Sequence, residues 1–91
     1  MTRRLLTVEE PFTIEGRGVC LSPVLVIQDD EAFQIGDPID IRHPDGRVVR
    51  TNIAALELPY PDPDRGWIIM LPQSIKIGDI PVGSEVWSVD S

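Results

Sequence analysis

The chain is short of positive charge: 8 basic residues stand against 15 acidic ones in 91, a formal net charge of -7. Such a surface repels phosphate backbones, which excludes broad, non-specific nucleic-acid binding and leaves room only for a local basic patch. Cysteine occurs once, so no internal disulfide can form, which fits a reducing cytoplasm. Histidine also occurs once, as His43, with no cysteine near it, so the sequence offers no transition-metal ligand set. Long apolar runs are missing. The longest, WIIML, falls far short of a membrane span, and Leu5-Leu6 is too short for the apolar core of a signal peptide. A GxxxxGK[ST] loop is absent too, so there is no nucleotide-binding loop.

Turn formers are plentiful. Nine prolines and seven glycines fall between short apolar stretches, which predicts many turns and few long helices. The apolar fraction of 42% is ordinary for a globular protein. At this length a single domain is expected, with a thin core that buries roughly 60–65% of the unfolded surface. Residues 1–7 read as an N-terminal extension and residues 8–91 as the domain.

The pattern along the chain is strand, turn, strand. Residues 11–15 read as a short strand with Phe12 and Ile14 facing the core, and Gly16-Arg17-Gly18 as a tight reversal. Residues 19–27 read as the return strand, with Val19, Leu21, Val24 and Val26 inward, interrupted at Pro23. A turn at Gly36 follows. In residues 38–42, Ile39 and Ile41 point in while Asp40 and Arg42 point out. His43-Pro44-Asp45-Gly46 is a turn, and His43 is read as a turn residue. Residues 47–58 read as one long strand; Val49, Thr51 and Ile53 share a face, and Leu56 and Leu58 break the parity, which predicts a bulge near Ala54-Ala55. After the proline-rich PYPDPDRG loop, GWIIML is a buried strand. PQSIKIGDIPVG tucks Ile75, Ile77 and Ile80 under it, and SEVWSV closes the chain. The expected fold is all-β: a small closed barrel of six to seven strands, since closure removes exposed sheet edges.

The residues resemble a known family at this point. VEEPFTIEGRG is similar to the start of the second domain of elongation factor Tu and related translational GTPases, an acidic–acidic–x–Phe–x–Ile–x–Gly–Arg–Gly pattern. IGDPIDI resembles the family's hydrophobic–Gly–Asp/Glu–x–Val–x–Ile strand, and TNIAALEL the strand that ends in a hydrophobic–Glu pair, here Leu56-Glu57. IIMLPQSIKIGDIPVGSEVW resembles the closing segment, so the likeness runs over roughly residues 8–89. It implies a closed β-barrel. It also implies that Glu9, Glu10 and Phe12 match the segment contributing to the terminal-adenosine pocket, and Gly16, Arg17 and Gly18 the family's turn. Its partners would be the acceptor end of tRNA or ribosomal RNA. The sequence departs from the pattern at Pro23, where the family has glycine, and at PYPDPDRGW, which replaces the family's glycine-containing approach to the Leu-rich strand.

Several side chains are candidates for function. Arg17, held at a rigid tip, is either a donor for a partner's phosphate or carboxylate or one half of an ion pair with Glu15 or Glu9. Cys20 reads as a buried thiol rather than a reactive one. Asp29-Asp30-Glu31 and Asp62/Asp64 lack calcium-loop spacing and read as solvated acidic loops. Trp67 and Trp87 are either core or, in one case, a binding anchor. Tyr60, in a stiff loop, is an interface candidate. No nucleophile–base–orienter set is present, so no enzyme, cofactor or metal is expected. The expected function is a stand-alone binding module, docking an unidentified protein through Tyr60, Trp67 and the Gly-Arg-Gly tip. The competing expectation is a translation-associated RNA-binding module using Glu9, Phe12 and Arg17. A basic patch of Arg3, Arg4, Arg17 and Arg65 would favour RNA, and an apolar patch of Tyr60 and Trp67 would favour protein.

Overall fold

In the computed structural model, residues 2–28, 31–59 and 66–89 are described. Tyr60, Asp62, Asp64, Arg65, Asp29 and Asp30 lie outside these residues. The chain is all-β. Its strands are β1 (Arg4–Thr7), β2 (Glu10–Ile14), β3 (Gly18–Ser22), β4 (Pro38–Arg42), β5 (Val48–Asn52), β6 (Ala55–Glu57), β7 (Ile68–Met70) and β8 (Glu85–Ser88). They form two antiparallel sheets, ordered β1-β8-β4-β5 and β2-β3-β7-β6. Among the described residues eight strands thus stand where the sequence pattern suggested six or seven. The two extra ones have physical causes.

The first is β1. Its burial pattern is carried by only two residues, Leu5 and Leu6, which are buried in the core and pair with β8 through Leu6↔Val86. Two apolar residues are too few to show a period. The second is the split of residues 47–58 into β5 and β6. Ile53 and Ala54 stand between them, and each half joins a different sheet. The parity break at Leu56 therefore marks a change of sheet, not a bulge within one strand. Ile53 is fully buried at that corner, its N–H donating to the Asp37 carbonyl at 2.9 Å, and the Ala54 N–H already bonds to Met70 at 2.8 Å. A matching corner lies between β1 and β2. There Val8, almost wholly buried, bonds through its N–H to Ser84, while the Glu9 N–H bonds to Ser22, both at 2.8 Å.

Between the sheets lies one core, in which Leu5, Leu6, Val8, Val19, Leu21, Leu25, Ile39, Ile41, Ile53, Ile69, Leu71, Ile80 and Val86 pack together. The alternation of β4 is as its sequence pattern requires: Ile39 and Ile41 are buried and Arg42 is exposed. Other assignments differ. Phe12 is 37% exposed and Ile14 half-buried, because β2 ends its sheet and its Phe12 face turns away from the common core. Beyond Ser22 the expected inward Val24 and Val26 give way to Leu25, which is fully buried, while Val26 is 60% exposed. Proline cannot continue the ladder, so β3 stops before Pro23, and the chain rejoins the sheet only at a single Leu25↔Trp67 bridge. Trp67 and Trp87 are half-buried and stand outside the common core cluster. Ile75 packs against the core and Ile80 is buried, but Ile77, in a 3-10 turn over Ile77–Asp79, is exposed.

Candidate functional site

The β2–β3 hairpin closes with Ile14 opposite Gly18. The Arg17 N–H bonds back to the Ile14 carbonyl at 3.0 Å, and Gly16 takes φ 78°, a left-handed conformation that a side chain resists. Gly18 is needed for a second reason. It passes so close to β7 that a side chain there would strike the Leu71 carbonyl, while the Leu71 N–H donates to Val19 at 2.8 Å. The hairpin end is thereby pinned against the β7 end.

After Leu71 the chain turns through residues 72–76 and runs past the same hairpin end. The Gln73 side-chain amide donates to the Gly16 carbonyl at 2.8 Å, bracing the two segments. Lys76 Nζ donates to the Gln73 carbonyl at 3.3 Å, and the Lys76 backbone N–H is held by Asp79 at 2.9 Å. Between these segments lies a cleft of about 310 Å³, at the small end of the range for ligand pockets. Ile14, Val19, Ile75 and Ile77 give it apolar walls, and Arg17 and Lys76, the chain's one lysine, bring positive charge.

Arg17 is not a bare tip. Its guanidinium reaches across the sheet to the Glu57 carboxylate, neither of the expected partners Glu9 and Glu15. Cys20 pairs in register with Phe12 on one side and Met70 on the other, on the face away from the common core. It is fully buried, and burial pushes its thiol pKa up; the Arg17 charge pulls against that shift and the Glu57 charge adds to it. The buried, unreactive reading of Cys20 follows from this environment.

The remaining candidates do not gather at one place. Glu9 and Glu10 are exposed at the opposite end of β2, where Glu10 pairs with Ser22. Trp67 lies towards that same end through its backbone bonds to Leu25, 2.7 and 2.9 Å long. Phe12 sits midway along β2. Tyr60 and Arg65 lie outside the described residues. His43 holds its turn through backbone bonds with Arg47 and Gly46, and is also buried. Gln73, Ile75, Ile77 and Lys76 were not legible as site residues. The signal that could have marked them is an apolar Ile-Lys-Ile alternation carrying the single lysine but lacking strand partners.

Positive charge is spread out and largely spent. Arg3 pairs with Glu31, Arg4 with Glu85, Arg17 with Glu57, Arg47 with Asp45 and Arg50 with Asp40. Arg42 stacks over the Trp87 ring at 4.1 Å. Among the described residues no group of three or more His, Cys, Asp or Glu side chains is arranged to hold a metal, and no helix is long and apolar enough to cross a membrane. No protein-family model, curated protein or solved structure matches the chain.

Proposed function

We propose that the protein is a non-enzymatic binding module that acts in protein–protein interaction, through the hairpin end of its β2-β3-β7-β6 sheet. The carrying observation is how its arginines are used: Arg3, Arg4, Arg17, Arg47 and Arg50 are each engaged by a carboxylate of the chain itself. Charge neutralised in this way does little for a phosphate backbone, which requires unpaired cations clustered on one face. What the hairpin end offers instead is apolar surface at Ile77, 46% exposed, while Phe12, midway along β2, is 37% exposed. An exposed isoleucine on an apolar cleft is the composition of a protein interface.

The scaffold in this proposal is a small β-barrel like the second domain of elongation factor Tu and its relatives, its wall left unpaired along β2 among the described residues. Support comes from the corners at Val8-Glu9 and Ile53-Ala54, where the chain passes from one sheet to the other, and from the single core that both sheets share. In that scaffold the sheets are two halves of one wall, and the hairpin end is a rim built from turns, where binding residues can vary without cost to the core.

The test is site-specific photo-crosslinking in cells, with the crosslinker at Ile77 or Phe12 and, as controls, at Val48 and Val82, which are exposed elsewhere. Covalent protein adducts from the hairpin-end positions but not from the controls are expected. Adducts to RNA, or equal labelling from all four positions, would contradict the reading.

A further inference from the structure

The cleft at the hairpin end brings together three features that match one kind of ligand. Its walls are aliphatic: Ile14, Val19, Ile75 and Ile77. It holds two cations, Arg17 and Lys76, in a protein whose net charge is -7. It also opens beside Thr13 of β2, which is the last strand of its sheet and so presents an unpaired edge.

We infer that this cleft takes the C-terminal residue of an extended segment of a partner protein, an aliphatic side chain with its free carboxylate; the inference rests on the protein-interaction reading above. The match lies in the ligand's covalent geometry. A C-terminal valine, leucine or isoleucine carries its side chain and its carboxylate on one Cα, so both must be met within one small space. A cleft of about 310 Å³ holding aliphatic walls and a lysine does that, and its volume suits one residue. The residues before the terminus lie along the edge of β2 and gain main-chain hydrogen bonds by strand addition. Pro11 has no N–H to offer, so pairing is confined to the Thr13 end, next to the cleft.

The two cations have different tasks. Arg17 lines the cleft but its guanidinium is already engaged by Glu57. Among the described residues Lys76 Nζ donates to a neutral carbonyl, that of Gln73, and an ammonium has further donors to give to an incoming carboxylate. The Gln73–Gly16 bond braces both walls before any ligand arrives, and a site built in advance loses little entropy on binding.

The experiment is fluorescence anisotropy with labelled hexapeptides ending in Thr-Val-Leu, made with a free C-terminal carboxylate and as the C-terminal amide, with N-acetyl-leucine as competitor. The free acid is expected to bind at least about tenfold more tightly than the amide, the scale of one charge-assisted hydrogen bond. Lys76→Gln removes that difference and Lys76→Arg keeps it. Ile77→Asp weakens both peptides, and N-acetyl-leucine competes weakly. Lys76 and Ile77 are exposed, and circular dichroism checks that each variant folds. Equal binding of acid and amide, absence of binding by either at millimolar concentration, or competition by N-acetyl-leucine as strong as by the peptide overturns the inference. If such a result accompanies protein crosslinks from Ile77, the protein-interaction reading stands and only the carboxylate-end partner falls.

Discussion

An ideal Cβ placed on Gly18 would lie 2.6 Å from the carbonyl oxygen of Leu71, closer than any side-chain carbon approaches backbone. This close approach, with the Leu71 N–H bond to Val19, holds the hairpin end against β7. Gly18→Ala therefore must push two backbones apart while holding φ at 145°. It is expected to destabilise the fold by about 2–3 kcal/mol. Gly16→Ala meets nothing within 4 Å and bears only the left-handed backbone, so about 1 kcal/mol is expected. Urea denaturation of the two variants measures the difference.

Phe12→Ala tests which way β2 faces. As a core residue Phe12 would cost about 3–5 kcal/mol on truncation. At the sheet edge and partly exposed, it is expected to cost about 1 kcal/mol, while Leu71→Ala, fully buried, costs about 3 kcal/mol or more. Equal losses from the two would show that Phe12 belongs to the core.

The misplacement of Phe12 shows where sequence pattern runs out. Alternation in VEEPFTIEGRG correctly puts Phe12 and Ile14 on one face of β2, but it does not say which face is inside. That depends on β2 being the last strand of its sheet, a fact of topology. Ile39 and Ile41 were legible because β4 has neighbours on both sides and a clean polar face. The Gly-Arg-Gly turn was legible because its glycines have a local cause. The cleft was not: Gln73 and Lys76 reach Gly16 and Arg17 through a sequence separation that no short-range period records. Arg17's partner Glu57 lies 40 residues away for the same reason.

Acid should weaken the fold through Glu31. Its carboxylate accepts from Arg3 and from the Gln28 N–H, and these bonds lower its pKa from an ordinary 4.5 to about 2. A depressed folded-state pKa stabilises above the unfolded value, and that contribution is lost as pH falls from about 4.5 through about 2. Asp45 is shifted the same way by the Arg47 N–H, so Glu31→Gln removes only part of the acid sensitivity. Denaturation at stepped pH should show wild type and Glu31→Gln converging as pH approaches 2. A constant gap down to that pH would contradict the Arg3–Glu31 pairing.

Cys20 should be silent in the folded protein. It is fully buried, and burial raises its thiol pKa, so little thiolate forms and none is accessible. A thiol reagent at pH 8 is expected to label Cys20 only after denaturant is added. Rapid labelling of the native protein would mean that the Phe12–Cys20–Met70 face opens.

Arg17→Ala should change stability by about 0.5 kcal/mol or less, as partly exposed ion pairs do. A larger shift in melting would show that Arg17 is structural.

The most direct test of the account is affinity capture from cell extract on the purified protein, with and without RNase, for wild type and Ile77→Asp. The account predicts a defined protein retained by wild type regardless of RNase and lost with Ile77→Asp. Retention of tRNA or ribosomal RNA, abolished by Arg17→Ala and indifferent to Ile77→Asp, would contradict it.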